Sequence, residues 1–197
     1  MKTIIYGGAF NPPTLAHQLI LNACTQLAEE FDGEVWLLPS GNRADKQITV
    51  PEATRLHFLE AMADATPAPS LVQVETLELH RNKNVETYDT MVELAALYPD
   101  REFHWVFGSD STHTMATWDH GDWIIENAHI IAVNRTGYTI NPDLKHVTML
   151  NLPESDMSST LVRQRAGMGE DYTSLVLPTI HTLIEMTCKQ IYVKAYC

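Results

Sequence analysis

Thr3-Ile4-Ile5-Tyr6-Gly7-Gly8-Ala9-Phe10-Asn11-Pro12-Pro13-Thr14-Leu15-Ala16-His17 is the stretch whose reading decides the fold. Thr3 to Tyr6 reads as a short apolar strand. Gly7 and Gly8 follow, and two glycines let the backbone turn sharply and come close to a ligand. An amphipathic helix is expected from about Thr14 to Glu30, with Leu15, Leu19, Ile20, Ala23, Leu27 and Ala28 as its apolar face. A helix start presents unpaired N–H groups and the positive end of its dipole, which favours a phosphate. Thr14 and His17 lie three residues apart in that first turn, so both side chains can face one ligand. Strand, glycine turn, helix start and Thr/His pair together predict a nucleotide-phosphate site with its own hydrogen-bond donors.

Outward from this segment, helix-period stretches alternate with short apolar runs, the pattern of a parallel sheet covered by helices. Further strands are read at residues 34–38, 71–74, 103–107 and 128–133, with an edge strand at 147–150. Helices are read at 51–62, opened by Pro51, and at 87–98, with two more closing the chain. One of these follows Ser158 and the other spans about Leu177 to Lys189. The predicted class is α/β, a Rossmann-like open and mainly parallel sheet with helices on both faces. A chain of 197 residues suits one such domain, residues 1–197. Gly108-Ser109-Asp110 follows the fourth main strand, and ligands of open α/β sheets bind at such carboxyl ends.

Composition narrows the partners. Thirteen basic residues against 25 acidic ones give −12 with the histidines neutral. That surface argues against nonspecific nucleic-acid binding, and a polyanionic substrate must meet a local basic pocket. Lys46, Arg135, Arg163 and Arg165 are the candidates. Cys24, Cys188 and Cys197 have no paired spacing, so neither a zinc ribbon nor a disulfide framework is indicated. Cys24 falls in the first helix and is expected to be a buried thiol. No run approaches the roughly 18 apolar residues of a membrane span, and the N-terminus does not read as a signal peptide. A cytoplasmic protein is expected, acting on neither membrane nor nucleic acid, with homo-oligomerisation left open.

A second constellation lies about 140 residues downstream, Met157-Ser158-Ser159-Thr160-Leu161-Val162-Arg163-Gln164-Arg165. Three hydroxyl residues before an apolar-periodic stretch cap a helix, and a capped helix start is itself an anion site. Arg163, one turn in, is placed to neutralise phosphates, and Arg165 points to another face as a structural residue. The two segments resemble the T/HxGH and ISSTxIRxR signatures of the nucleotidyltransferase superfamily. The chain is similar over nearly its whole length to the nicotinate (or nicotinamide) mononucleotide adenylyltransferases within it. Lys46 falls at that family's lysine, Thr87-Tyr88-Asp89-Thr90 resembles its SYTxDT, Gly108-Ser109-Asp110 its GAD, and Arg135-Thr136-Gly137-Tyr138 its RPGY. Trp118 follows at the expected interval. Ala16 stands where the family has glycine, and Asp119 where it commonly has tyrosine.

The resemblance implies transfer of the adenylyl group of ATP to a pyridine mononucleotide, nicotinate mononucleotide preferred, with release of pyrophosphate. His17, Thr14, Lys46 and Arg163 would be catalytic. Gly7, Gly8, Ala9, Phe10, His17, Gly108, Asp110, Ser158, Ser159, Thr160 and Arg163 would bind ATP. Thr87, Trp118, Arg135 and Lys46 would bind the mononucleotide. Mg²⁺ would arrive on the ATP phosphates. No dedicated protein metal site is expected, since the spacing of Asp110, His113, Asp119, His120 and Asp122 matches no defined ligand motif. Two other readings compete: adenylyl or cytidylyl transfer to another phosphorylated acceptor such as phosphopantetheine, and a catalytically silent nucleotide-binding regulator.

Overall fold

A computed structural model describes residues 1–41, 48, 50–81 and 86–196, the last without its side chain. The chain alternates strand and helix from the start. β1 (Lys2–Gly8) leads to α1 (Leu15–Phe31), β2 (Glu34–Pro39) to α2 (Glu52–Asp64), and β3 (Val72–Val74) to α3 (Thr87–Leu97). β4 (Glu102–Gly108) is followed by α4 (Ser109–Thr114) and α5 (Gly121–Asn127), then β5 (His129–Val133) and β6 (His146–Leu150). Three helices close the chain: α6 (Ser159–Met168), α7 (Pro178–Thr187) and α8 (Lys189–Tyr196). The strands form one sheet in the order β3-β2-β1-β4-β5-β6. Every pairing in it is parallel, so the predicted open α/β architecture is the observed one.

Alternate strand residues face opposite sides, and this splits the interior into two layers. Ile4, Tyr6, Val35, Leu37, Val106 and Ile131 pack beneath α1, α2 and the closing helices. Ile5, Trp36, Leu38, Trp105, Ile130 and Ala132 pack beneath Met91 and Leu94 of α3 and Ile124 and Ile125 of α5. The strands therefore read as near-continuous apolar runs, as expected of a sheet buried on both faces.

Four expectations are corrected. In α1 the buried residues are Gln18, Leu21, Ala23, Cys24, Thr25 and Ala28, whereas Leu19 is exposed. Ile20 and Leu27 of the expected face are partly buried against the core, and the Gln18 side-chain amide is buried because it donates to the Met62 carbonyl at 3.1 Å. Cys24 is buried as expected, and burial pushes its thiol up to about 12. The helix expected to run to Lys189 ends at Thr187, because Cys188 takes φ −132° and ψ −1°. An additional helix, α8, follows it, and its Tyr192 side chain is buried in the core. α4 and α5 were not expected from the sequence; at six and seven residues they are shorter than the window over which an apolar helical repeat can be recognised.

Candidate active site

β1 and β4 lie side by side at the middle of the sheet, and the chain leaves them toward opposite faces. A crevice therefore opens beyond their carboxyl ends, at Gly7-Gly8 and Gly108, where the winding reverses. The sharp turn expected at Gly7-Gly8 is corrected: both glycines are extended residues of β1 paired with Leu38 and Pro39, and between β1 and α1 the backbone takes a positive φ, 44°, only at Phe10.

Thr14 caps α1, and His17 occupies the third helical position of a capping box. The Thr14 backbone N–H donates to His17 Nδ1 at 3.1 Å, and the Thr14 hydroxyl lies 2.8 Å from the same nitrogen. A backbone N–H can only donate, so Nδ1 accepts, and the neutral ring carries its proton on Nε2. The imidazole is thereby fixed as an Nε2–H donor. Thr14 is 1% exposed, so its side chain serves the histidine instead of facing the crevice beside it. Phe10 backs the other side of this arrangement. Its ring centroid lies 5.6 Å from that of His17 and 5.5 Å from that of Tyr6, and its side chain is 1% exposed. Only the backbone of Phe10 is left to meet a nucleotide, whereas Gly7 lies open at the strand end and Gly8 and Ala9 are half-buried.

The second motif docks onto the first. Ser158 caps α6 by accepting the Leu161 N–H at 3.1 Å. Ser159 Oγ donates to the Pro12 carbonyl at 2.7 Å, and the Arg163 guanidinium donates to the Asn11 carbonyl at 2.7 Å. Arg163 also reaches Thr160 Oγ1 at 3.1 Å. Segments some 150 residues apart thus form one wall. Arg165 turns away and donates to the Asp171 carbonyl, consistent with a structural residue.

Arg55, on α2, was missed by the sequence reading. It is 3% exposed, and one nitrogen donates both to the Ser40 carbonyl at 2.7 Å and to the Ala9 carbonyl at 3.3 Å. It ties the exit of β2 to the glycine loop. Burial draws its pKa below the ordinary arginine range, while the Glu52 carboxylate pushes it back up. A basic residue in the fourth position of a helix reads as solvated in sequence, so no local signal could have found it.

On the far lip, Gly108 leaves room for two functional groups. A Cβ there would stand 2.2 Å from Asp110 Oδ1 and 3.3 Å from Arg135 Nε. Those two groups lie 4.0 Å apart and are both half-exposed. Ser109 Oγ accepts the Arg135 N–H at 2.9 Å and so joins the β4 exit to the β5 exit. A narrow cleft continues from here between α1 and the ends of β5 and β6, lined by Ala16, Ile20, Arg135, Thr136, Glu154 and Ser155.

Thr87 is the first residue of α3 and is half-buried. Its neighbour Tyr88 stacks on His120 with centroids 4.0 Å apart and planes at 26°. This stack draws the start of α3 to the segment carrying Trp118, whose indole packs edge-on against Phe107 at 5.5 Å. Tyr88 and His120 were not singled out as site residues, because ring stacking between distant segments leaves no local pattern. Lys46 lies outside the described residues.

A family model described as cytidylyltransferase-like matches residues 5–165. A protein of Exiguobacterium sibiricum named "probable nicotinate-nucleotide adenylyltransferase" is 33% identical over 188 residues, covering 94% of this chain and 96% of that one. One of the same name from Bacillus cereus is 36% identical over 167 residues, covering 83% and 85%. The chain belongs to the nicotinate-nucleotide adenylyltransferase family. Its fold is also that of a solved Plasmodium falciparum nicotinic acid mononucleotide adenylyltransferase complexed with NaAD, at TM-score 0.84 and 23% identity, covering 96% of this chain and 97% of that one. Membership in the nicotinate-nucleotide adenylyltransferases bears out the resemblance read from the two motifs and the landmarks between them.

Proposed function

We propose that this chain transfers the adenylyl group of ATP to nicotinate mononucleotide, giving the deamido dinucleotide and pyrophosphate. A phosphate oxygen of the mononucleotide attacks the α-phosphorus of ATP in line. The new P–O bond forms as the bond to the β-phosphate's bridging oxygen breaks, and pyrophosphate leaves with that electron pair. No covalent intermediate on the protein is needed, so catalysis rests on positioning and charge stabilisation. The observation that carries this reading is the Thr14–His17 bond, which fixes His17 as an Nε2–H donor in the first turn of α1, close after the end of β1. That donor suits a non-bridging oxygen of the α-phosphate.

The other roles follow from place. Gly7, Gly8 and Ala9 offer backbone to the ATP phosphates, and the Ser158–Thr160 helix start with Arg163 faces the departing pyrophosphate. Asp110 accepts from a ribose hydroxyl, and Arg135 beside it meets the mononucleotide's charge. Thr87 and the N–H groups at the start of α3 receive the pyridine substituent, with Trp118 against the ring. Mg²⁺ enters as part of the substrate, bound to the triphosphate. Among the described residues no group of three potential ligands lies near His17 to hold it independently.

Incubation with ATP, Mg²⁺ and a panel of phosphorylated acceptors, followed by pyrophosphate release, tests this reading against its rivals. Release should be fastest with nicotinate mononucleotide. Faster release with phosphopantetheine, or none with any acceptor, would assign the chain to another transfer reaction or to a binding role. Within the panel, kcat/KM should favour nicotinate over nicotinamide mononucleotide, because the dipole at the start of α3 favours a carboxylate over a neutral amide. Among the described residues Arg81 contacts this helix, but it is paired with Glu93, which leaves the helix start as the feature that favours the carboxylate. A ratio below one would overturn the choice of substrate and leave the chemistry intact.

Arg163 and Arg165 should separate on substitution. Arg163→Ala should weaken binding of a non-hydrolysable ATP analogue by about tenfold, the loss of one charge-assisted contact. Arg165→Ala should leave that affinity unchanged and lower the melting temperature instead. Calorimetric titration and a melting curve on each protein decide. Unaltered affinity in Arg163→Ala would remove Arg163 from the phosphate site.

A further inference from the structure

At the other end of the sheet, parallel pairing sets three histidines side by side. His104 of β4 is in register with His129 of β5, and His129 with His146 of β6. Their rings follow one another at centroid distances of 5.0 and 4.9 Å. Glu102 stands two residues before His104 on the same strand face, and its Oε1 lies 2.8 Å from His104 Nε2. One ligand atom each from Glu102, His104 and His129 can be chosen so that all three lie within 4.8 Å of one another.

We infer that Glu102, His104 and His129 form a binding site for a divalent transition cation of zinc's class at the amino-terminal end of the sheet. Two imidazoles and one carboxylate are the ligand set that such cations take, with a fourth position for water. Tetrahedral coordination at about 2.0–2.1 Å puts ligand atoms roughly 3.3 Å apart, so a small rotation of side chains closes the set. The proton now shared between His104 Nε2 and Glu102 Oε1 gives way to the cation, and His104 then carries its proton on Nδ1. His104 is buried and anchored against the Phe31 ring at 5.3 Å, so one ligand is preorganised. Glu102 is half-exposed and also lines an open hollow of about 550 Å³ with Met1, Lys2, Phe31 and Arg101, which gives a hydrated ion a way in. Lys2 stands over Phe31 at 4.4 Å and is the charge that opposes the cation.

This place is unsuited to adenylyl transfer. His104 precedes Gly108 by four residues, roughly 13 Å along the strand, so a cation here clamps β4 to β5 without touching the phosphates. Histidines 25 and 17 residues apart in sequence carry no ligand motif, so spacing alone does not point to this site.

Titration of the full chain with Co²⁺, without ATP, tests the site. The expected result is one Co²⁺ per chain, with the visible absorption of a four-coordinate centre and a raised melting temperature. Glu102→Gln and His129→Gln, both at solvent-accessible positions, should each weaken binding at least tenfold. Pyrophosphate release with Mg²⁺ should stay at the parent's rate in both, which separates failure of this site from failure of the proposed reaction. A parent protein that stays colourless in excess Co²⁺ would overturn the proposal. So would equal Co²⁺ affinity in the parent and both variants, which would place the ion elsewhere.

Discussion

His17→Ala should lower kcat by about 10²–10³ while leaving the Michaelis constant for ATP within a few-fold of the parent. The imidazole is fixed by Thr14 at Nδ1, so Nε2–H is oriented before substrate arrives and needs no rearrangement during reaction. A donor aimed at charge that grows on the α-phosphate stabilises the transition state more than the ground state, and its loss therefore appears in turnover. Thr14→Val should fall in the same direction with a smaller loss. It removes the hydroxyl but keeps the backbone N–H, which holds the tautomer alone. Steady-state kinetics at saturating mononucleotide would show both effects. Turnover of His17→Ala within twofold of the parent would remove the histidine from the chemistry.

Arg55→Met should cost about 3 kcal/mol of stability, near the upper range for loss of a charged group's hydrogen bonds in the interior. The guanidinium donates to the Ser40 carbonyl at 2.7 Å and reaches the Ala9 carbonyl at 3.3 Å. Methionine fills similar volume without a donor, so both carbonyls lose a partner. In a chain of this size that corresponds to a fall of roughly 6–12 °C in melting temperature. The same change frees the glycine loop at Ala9, so turnover measured well below the transition should fall as well. A melting temperature within about 2 °C of the parent would mean that the two carbonyls find other partners easily.

How much of the site was legible depended on how far apart its partners lie. Thr14 and His17 are one turn apart, and the glycine turn, the helix start and the pair could be read as one anion site. Even there the sequence left the division of labour open. That the threonine hydroxyl and N–H both address Nδ1 is visible only in the folded cap, with its φ of −118° and ψ of 172°. Ser159 and Arg163 could be read as candidates at a helix start suited to an anion. Their grip on the Pro12 and Asn11 carbonyls was not, because such a contact depends on where α6 lands. Arg55 left no trace at all. A buried cation and a solvated one look alike in a helical pattern, and only the carbonyls around it tell them apart.

The sequence by itself determined the alternation of strands and helices, the open α/β class, the place of the two glycine segments at strand ends, and the pairing of Thr14 with His17 in one helix turn. These are set by short-range periodicity and by helix-start geometry, which act within a few residues. Only the tertiary structure decided which face α1 buries, where the closing helix breaks and which side chains meet across the crevice. It alone brought His104 and His129 into register on neighbouring strands, with Glu102 beside them. Those outcomes depend on strand order and on helix docking, where dozens of apolar contacts across the two layers outweigh any local preference. Residues far apart in the chain become neighbours through that packing, and their spacing in sequence carries no record of it.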